Sequence, residues 1–241
     1  MAVFLLFNVS HLQADTVIFQ HLGDTDPVSE GWNLTINSGG NISVGPITES
    51  GSGINAWHVY DTSTDLGTTG GYWQTPSQEQ LNQAALGWEY TVTVRTFDYS
   101  TGFYPYTIYA GFDDKTKNWL MYFYQDSNGN QFVRLAGDSE DSSRTFEVTN
   151  NPSAYHTYSL RFNPVEKNAD LYVDGALAVS DFAGRNTSGA AIISWGAGAS
   201  NATGKGHYNL VQWQVVPIPG AVWLLGSGLV GLAGLRRKFK R

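Results

Sequence analysis

The chain contains no cysteine among its 241 residues. This absence excludes disulfide bonds, thiolate metal sites and a cysteine nucleophile, because each of them requires a thiol group. It does not identify a cellular compartment. A domain of roughly 200 residues can bury enough apolar surface to fold without disulfides.

Charged residues are scarce at 15% of the chain, whereas aromatic residues make up 14%. This composition favours an all-β sandwich or barrel over a helical bundle, which is richer in Ala, Leu, Glu and Lys. The last six residues contain five of the 14 basic side chains, and the other nine stand against all 21 acidic ones. The chain before its last six residues is therefore acidic. This argues against a nucleic-acid partner, because phosphate contacts need clustered Lys or Arg.

The usual signatures of catalysis are also missing. Glucanases of β-sandwich folds carry closely spaced carboxylates on one strand, in a Glu-x-Asp-x-x-Glu pattern that does not occur here. Asp138, Glu140 and Asp141 cluster in a Ser-rich stretch that we interpret as a solvated loop. No Gly-x-Ser-x-Gly elbow or phosphate-binding glycine loop is present. We therefore predict a non-catalytic protein with no cofactor.

The histidines show no spacing typical of a metal site, and we interpret them as ordinary surface or strand residues. They are His11, His21, His58, His156 and His207. Asp126, Asn128 and Asn130 alternate as calcium ligands do, but the distal Glu of a calcium loop is missing. A plain turn is therefore favoured over a calcium site, to which the neighbouring carboxylates Asp113 and Asp114 could also contribute.

Side-chain alternation predicts strands through most of residues 16–216. Residues 88–95 place Trp88, Tyr90, Val92 and Val94 on one face, with polar side chains between them. Further alternating or apolar segments lie between turn residues. They cover residues 56–60, 106–112, 119–124, 131–136, 145–149, 157–162, 192–196 and 211–215.

Two local patterns predict how the chain turns. Asp174-Gly175 lies between two apolar runs and predicts a two-residue hairpin, since both positions need a positive φ. Residues 126–130 predict a second hairpin loop. Ser77 and Gln80 have the spacing of a capping box, which predicts one short helix that ends before Gly87.

Many short strands and one helix predict an all-β, two-sheet antiparallel jelly-roll sandwich over residues 15–215. The segments 155–160 (YHTYSL) and 169–175 (ADLYVDG) resemble paired strands of concanavalin A-like lectin/glucanase domains, including the laminin G-like group. The segments 194–200, 203–204 and 209–213 are similar to the same family, so the resemblance covers roughly residues 71–216. It implies a domain of a family that often binds sugars and sometimes hydrolyses them.

The two ends of the chain resemble export signals. Residues 1–14 combine an apolar run with Leu12-Gln13-Ala14, which is typical of a signal peptide, although no basic residue precedes the run. A buried first strand is the alternative. Residues 216–235 carry no charge, and a helix from Pro219 would span about 25 Å. This predicts a short C-terminal transmembrane helix, with the basic end cytoplasmic and the body outside.

The C-terminal segment, residues 216–241, resembles the PEP-CTERM sorting signal of Gram-negative bacteria. It combines a Pro-x-Pro element, an apolar helix and a basic end, and it departs from the typical motif at Ile218, where the family has Glu. The resemblance implies an exosortase-type processing enzyme as partner and delivery to the cell envelope or extracellular matrix. The residues that carry it are Val216, Pro217, Ile218, Pro219, Gly220, Arg236, Arg237 and Lys238.

Sugar binding needs exposed aromatic faces beside amide and carboxylate groups. Residues 97–106 offer this mixture, and within them Asp98, Tyr99 and Tyr104 are the candidate ligand-binding residues. Residues 70–74 are a second candidate, through Trp73. Core packing is the alternative for each of these aromatic side chains.

The leading functional hypothesis is an exported, non-catalytic protein that binds carbohydrate, either exopolysaccharide or a cell-surface glycan. One alternative is a glycan-active enzyme, a hydrolase or lyase, with an unrecognised site. Another is a purely structural matrix protein without a specific ligand.

Overall fold

The computed structural model describes residues 15–37, 41–65, 69–97, 107–137, 144–151, 153–198 and 202–216. These residues form sixteen strands and one helix. In chain order the elements are β1 (Thr16–Leu22), β2 (Asn33–Asn37), β3 (Ile42–Thr48), β4 (Asn55–Asp61), β5 (Thr69–Gln74), α1 (Gln78–Ala84), β6 (Trp88–Phe97), β7 (Ile108–Asp113), β8 (Lys117–Gln125), β9 (Gln131–Leu135), β10 (Thr145–Val148), β11 (His156–Asn163), β12 (Asn168–Val173), β13 (Ala176–Phe182), β14 (Arg185–Asn186), β15 (Ile192–Gly198) and β16 (Gly204–Val215).

The strands form two antiparallel sheets of eight strands each, which confirms the predicted two-sheet sandwich. The first sheet has the order β13-β12-β11-β6-β16-β4-β3, with β1 also paired to β16. The second has the order β10-β9-β8-β7-β15-β5-β2, with β14 also paired to β8. Most neighbours in each sheet are distant in sequence, as expected for a jelly roll.

Strand β16 occupies the middle of the first sheet. Its first half pairs with β4 and its second half with β1, while β6 runs along the other side for most of its length. The alternation predicted for residues 88–95 and 211–215 is confirmed, because Trp88, Tyr90, Val211 and Trp213 all point into the core.

The core between the sheets is rich in aromatic side chains. Trp119, Trp195 and Trp213 are fully buried there, with Tyr90 and Tyr208 among the buried tyrosines. These two tyrosines join the sheets by hydrogen bonds. Tyr90 donates to the Ser194 carbonyl at 3.0 Å, and Tyr208 donates to the Tyr109 and Gly196 carbonyls at 2.9 and 2.8 Å.

The predicted turns and helix are confirmed. Asp174 and Gly175 have φ values of 50° and 82° and connect β12 to β13. At α1 the Ser77 hydroxyl accepts from the Gln80 N–H, and the Gln80 side chain accepts from the Ser77 N–H. Gly87, with φ of 140°, follows the helix before β6 begins.

No helix among the described segments is long and apolar enough to cross a membrane. The predicted signal peptide at residues 1–14 lies outside these segments, and so does the predicted transmembrane helix that follows Val216.

Candidate functional site

The outward side of the second sheet carries partly exposed aromatic rings, and we call it the aromatic face. Along β7, β8 and β9, buried core residues alternate with outward residues that are only partly covered. The same alternation in β5 turns Trp73 outward, opposite Ser194 of β15. The aromatic residues of this face are Trp73, Tyr109, Tyr122, Tyr124 and Phe132.

A row across neighbouring strands forms the middle of the aromatic face. Tyr109 of β7 lies opposite Tyr122 of β8, which lies opposite Arg134 of β9. Directly opposite side chains on one face are within contact distance. Burial raises the pKa of Tyr122, and the nearby Arg185 and Arg134 guanidinium groups lower it. The phenol is therefore flanked by two cations.

Two buried glycines lie beside this row, beneath the Tyr109 side chain. Gly196 of β15 pairs with Gly71 of β5 on one side and with Tyr109 on the other. A Cβ atom on Gly71 would lie 2.8 Å from the Tyr109 hydroxyl oxygen, so the tyrosine ring crosses the glycine pair. Burial raises the pKa of Tyr109 to about 12, although a hydrogen bond with Ser194 lowers it.

The remaining aromatic rings lie on either side of that row. The Trp73 indole N–H donates to the Thr35 hydroxyl at 3.0 Å, and the exposed Asn33 amide donates to the Trp73 carbonyl at 3.3 Å. Tyr124 and Phe132 stack at 5.2 Å with 13° between their planes. The face therefore combines aromatic surfaces with hydroxyl, amide and guanidinium groups, which is the mixture that sugar binding requires.

Sequence reasoning identified Trp73 of this face but missed Tyr109, Tyr122 and Arg134. The signal was present, because tyrosines alternate with apolar residues in segments 108–113 and 119–124. Alternation predicts that one set faces out, but it does not show which strands are neighbours in the sheet. The cross-strand row depends on that pairing.

A second cluster lies on the outward side of the first sheet, and we call it the histidine cluster. It consists of Glu49, Tyr60, Arg95, Tyr155 and His207. The Tyr60 hydroxyl is 2.5 Å from His207 Nε2, and His207 Nδ1 is 2.6 Å from Glu49 Oε1. Glu49 also accepts from Tyr155 at 2.9 Å and from Arg95 at 3.2 Å. The result is a continuous hydroxyl–imidazole–carboxylate chain.

Electrostatics fix the protonation of this chain. Burial lowers the pKa of His207 more than Glu49 raises it, so the imidazole is neutral at neutral pH. Burial raises the pKa of Glu49, but hydrogen bonds from His207 and Tyr155 lower it below its usual value. With the carboxylate ionised, His207 donates from Nδ1 and accepts the Tyr60 proton at Nε2.

Three of the histidines that were predicted to be surface or strand residues lie in strands, and the sequence did not indicate that they are buried against carboxylates. His21, His156 and His207 are buried and bonded to carboxylates, with His21 on Glu30 at 2.7 Å and His156 on Asp174 at 2.7 Å. The partners are 9, 18 and 158 positions apart in sequence, and a buried imidazole needs such a partner. His11 lies outside the described residues.

The predicted hairpin loop at residues 126–130 is confirmed. Asp126 Oδ1 accepts the backbone N–H groups of Asn128 and Asn130 at 2.8 and 2.9 Å, which closes the turn. Asp113 and Asp114 likewise accept from N–H groups of their own turn, at Lys115, Thr116 and Lys117. Within the described part of the chain, no group of His, Asp or Glu residues has metal-site geometry.

Several residues predicted from the sequence lie outside the described segments. The sugar-binding candidates among them belong to residues 98–106, which join β6 of the first sheet to β7 of the second. The residues concerned are Asp98, Tyr99, Tyr104, Asp138, Glu140, Asp141, Pro217, Ile218, Pro219, Gly220, Arg236, Arg237 and Lys238.

Comparison with known sequences gives one partial match. Residues 107–216, slightly less than half of the chain, match the family described as Vibrio cholerae sialidase, lectin insertion. This segment contains β7 to β16 and thus every aromatic residue of the aromatic face except Trp73. No curated protein shows a significant sequence match to the chain.

Similar solved structures share little sequence with this chain. The binding domain of botulinum neurotoxin DC in complex with rat synaptotagmin II aligns with 84% of this chain and 48% of its own, with a TM-score of 0.48 and 11% identity. The chain thus spans about half the length of that protein. Cellulose induced protein, Cip1, aligns with 78% of this chain and 93% of its own, with a TM-score of 0.49 and 12% identity. An endo-1,3-beta-glucanase from Streptomyces sioyaensis aligns with 85% of this chain and 98% of its own, with a TM-score of 0.44 and 13% identity.

Proposed function

We propose that this protein is a non-catalytic domain that binds carbohydrate through the aromatic face. The observation that carries the proposal is the row of Tyr109, Tyr122 and Arg134, in which the Tyr109 side chain covers the glycine pair Gly71 and Gly196. The aromatic rings can stack on the apolar face of a sugar ring, while hydroxyl and guanidinium groups bond its oxygens. The match of residues 107–216 to a family described as a lectin insertion supports the same conclusion.

The charges beside Tyr122 favour acidic sugars among the possible ligands. The Arg134 and Arg185 guanidinium groups both lower the pKa of the Tyr122 phenol, so each of them lies near that side chain. Arginine bonds a carboxylate with two parallel N–H groups and is therefore suited to uronate-type polymers. We infer that the ligand is an exopolysaccharide or cell-surface glycan that carries carboxylate groups.

A glycan array followed by titration of the best ligand tests this proposal with the full chain. We expect Tyr122→Ala to weaken binding about fivefold or more, because one stacked ring contributes about 1 kcal/mol. Arg134→Gln should weaken the binding of acidic glycans more than the binding of neutral glycans. The matched control is Tyr172→Ala on the first sheet, where Arg161 covers the ring at 4.3 Å.

The outcomes of that experiment separate the hypotheses. Unchanged affinity in both Tyr122→Ala and Trp73→Ala would exclude the aromatic face. Loss of binding in Tyr99→Ala or Tyr104→Ala alone would assign the ligand to residues 98–106 instead. If the chain binds no glycan on the array, the carbohydrate-binding proposal is wrong, and this outcome favours the structural matrix protein.

The histidine cluster favours a second candidate function, a glycan-active lyase. His207 is placed to take the Tyr60 proton, and the Lys205 ammonium lies 5.8 Å from the Tyr60 ring centre. A phenolate formed there could remove the proton next to the carboxylate of an acidic sugar. The electron pair then forms a carbon–carbon double bond, the bond to the glycosidic oxygen breaks, and that oxygen takes a proton from water.

Ultraviolet absorbance of the unsaturated product separates the lyase from the binding protein. If the second candidate is correct, uronate polymers give a rising absorbance that Tyr60→Phe abolishes and Tyr172→Phe does not. If no polymer is cleaved by the full chain, the histidine cluster serves the structure of the first sheet alone.

We propose further that the C-terminal segment delivers this domain to the cell surface. The uncharged run before Leu235 would insert into the membrane, and the basic end would remain cytoplasmic because Lys and Arg resist translocation. Each proline disfavours helix at the residue before it, so Pro217 and Pro219 would keep the chain extended outside the membrane, where an exosortase-type enzyme could reach it. The domain would then be retained at the outer surface or in the matrix of a Gram-negative bacterium.

Mass spectrometry of the surface-associated protein in its native host tests this delivery. We expect the mature chain to end near Pro217–Pro219 and a Gln-substituted basic end to impair sorting. Recovery of the intact C-terminus through Arg241 would leave a plain membrane anchor. The substituted residues are Arg236, Arg237, Lys238, Lys240 and Arg241.

A further inference from the structure

A cavity of about 490 Å³ opens at one end of the sandwich, away from both outward faces. One wall is the apolar side of α1, where Leu81, Ala84 and Ala85 lie. The opposite walls are the turn between β7 and β8 and the turn between β11 and β12. This volume is within the range of cavities that hold small organic ligands.

The bottom of the cavity is aromatic. It is formed by Trp88, Phe112, Trp119 and Phe162. The Trp88 and Phe162 rings are parallel at 5.6 Å, and Trp119 packs at steep angles against both. Since three of the four side chains also belong to the buried core, the bottom is a rigid apolar surface.

Three lysines surround the opening. Lys115 lies in the β7–β8 turn, Lys117 is the first residue of β8, and Lys167 lies in the β11–β12 turn. Lys115 Nζ donates to the Gln78 side chain at 3.3 Å, and Lys117 Nζ donates to the Asn186 side chain at 2.9 Å. Both partners are neutral amides, so these hydrogen bonds do not offset the charges of Lys115 and Lys117.

Among the described residues that line the cavity, Asp114 carries the one carboxylate, and the protein already uses it. Asp114 Oδ1 accepts the N–H groups of Thr116 and Lys117, at 2.8 and 2.7 Å. Asp114 Oδ2 accepts the indole N–H of Trp119 at 3.2 Å. Asp114 therefore holds the turn against the aromatic bottom, and the cavity keeps a net positive charge.

We propose that this cavity is a binding site for a small apolar carboxylate, distinct from the glycan site. The aromatic bottom would hold the apolar body of the ligand, and one or more of the three lysines would pair with the carboxylate at the opening. An apolar bottom disfavours a sugar or a polyphosphate, whose polar groups would lose water without gaining partners. A cationic ligand would be repelled by the lysines.

Calorimetric titration of the full chain with 2-naphthoate tests the proposal. The comparison ligand is 2-naphthylmethylammonium, which has the same rings and the opposite charge. Ala85→Trp places a large side chain at the exposed end of α1, where it fills the opening, and the triple variant Lys115→Gln/Lys117→Gln/Lys167→Gln removes the positive charge. Lys205→Gln, on the first sheet, is the control.

We expect the wild type to bind 2-naphthoate and to bind the cation at least tenfold more weakly. Each of the two cavity variants should lose tenfold or more in affinity, and Lys205→Gln should not. Octanoate distinguishes an aromatic from an aliphatic ligand, and either preference supports the site. If Ala85→Trp does not fold, as judged by its urea unfolding curve, the triple variant decides alone. Equal affinity for the two naphthyl ligands, or wild-type affinity in the triple variant, would overturn the proposal.

Discussion

Asp61 is a carboxyl group buried at the end of β4. One of its oxygens accepts from the Ser63 N–H at 2.8 Å, while the other, Oδ2, is buried and has no partner among the described residues. Burial raises its pKa to about 6, although the Ser63 N–H lowers it. The folded chain thus binds the Asp61 proton more tightly than the unfolded chain does.

Asp61 should therefore make the fold less stable as the pH rises. Its favourable contribution is complete below a pH of about 4 and is lost as the pH passes through about 6, an effect of about 2–3 kcal/mol. We expect Asp61→Asn, which keeps the acceptor for Ser63, to remove this loss. Urea unfolding at pH 4 and pH 8 measures it. A wild-type difference as small as that of the variant would contradict the prediction.

Gly196 illustrates how a single residue shapes the aromatic face. Its φ is 145°, and a Cβ atom there would lie 2.5 Å from both the Gly70 carbonyl oxygen and the Gly71 Cα. Gly196→Ala should therefore destabilise the fold by more than 1 kcal/mol, through backbone strain and the steric clash with β5. Gly53→Ala is a control, because its φ is also positive at 70° but the space around it is open. If both variants lose the same free energy of unfolding, the effect at Gly196 comes from its positive φ alone and not from a clash with β5.

At the scale of elements, the helix and the hairpins follow from short-range chemistry. The capping box at Ser77 and Gln80 satisfies N–H groups that the first turn of α1 would otherwise leave free. Because α1 has only seven residues, its tertiary contacts and its cap must hold it in place. It also forms one wall of the cavity, so its position matters beyond the fold.

Ser77→Ala tests how far the cap determines α1. We expect a loss of about 1 kcal/mol in the free energy of unfolding, the usual effect of removing an N-cap hydroxyl. Ser188→Ala, at an exposed position, is the matched control and should change stability little. Chemical denaturation of both variants gives the comparison. A loss in Ser77→Ala no larger than the control's would show that packing alone holds the helix.

The sequence predicted those elements whose cause is local, and it did not predict the arrangements that need the whole sheet. The Asp174-Gly175 hairpin, the capping box and the buried side of β6 depend on residues a few positions apart. The pair of His207 and Glu49 joins residues 158 positions apart. The row of Tyr109, Tyr122 and Arg134 exists only because β7, β8 and β9 are neighbours. Side-chain periodicity indicates the two faces of a strand, but it does not indicate which strands lie beside it in the sheet.

At the scale of the whole molecule, two buried tyrosines connect the sheets. Tyr208 spans the core from β16 and donates to carbonyls of β7 and β15. Tyr208→Phe keeps the ring but leaves the buried carbonyls one donor short. We expect a loss of about 1–2 kcal/mol in the free energy of unfolding. Tyr172→Phe, on the outward side of the first sheet, should cost much less, and similar losses would contradict an inter-sheet role.

The position of β16 has a consequence for how the chain is made. Ribosomes synthesise proteins from the N-terminus at about 5–20 residues per second, so among the described strands β16 is translated last. Until then the first sheet is divided, with β6, β11, β12 and β13 on one side and β3 and β4 on the other. Strand β1 also pairs with β16, so it has no partner in the sheet until β16 is translated. The described strands of the first sheet can therefore become one continuous sheet only after residues 204–215 have been translated.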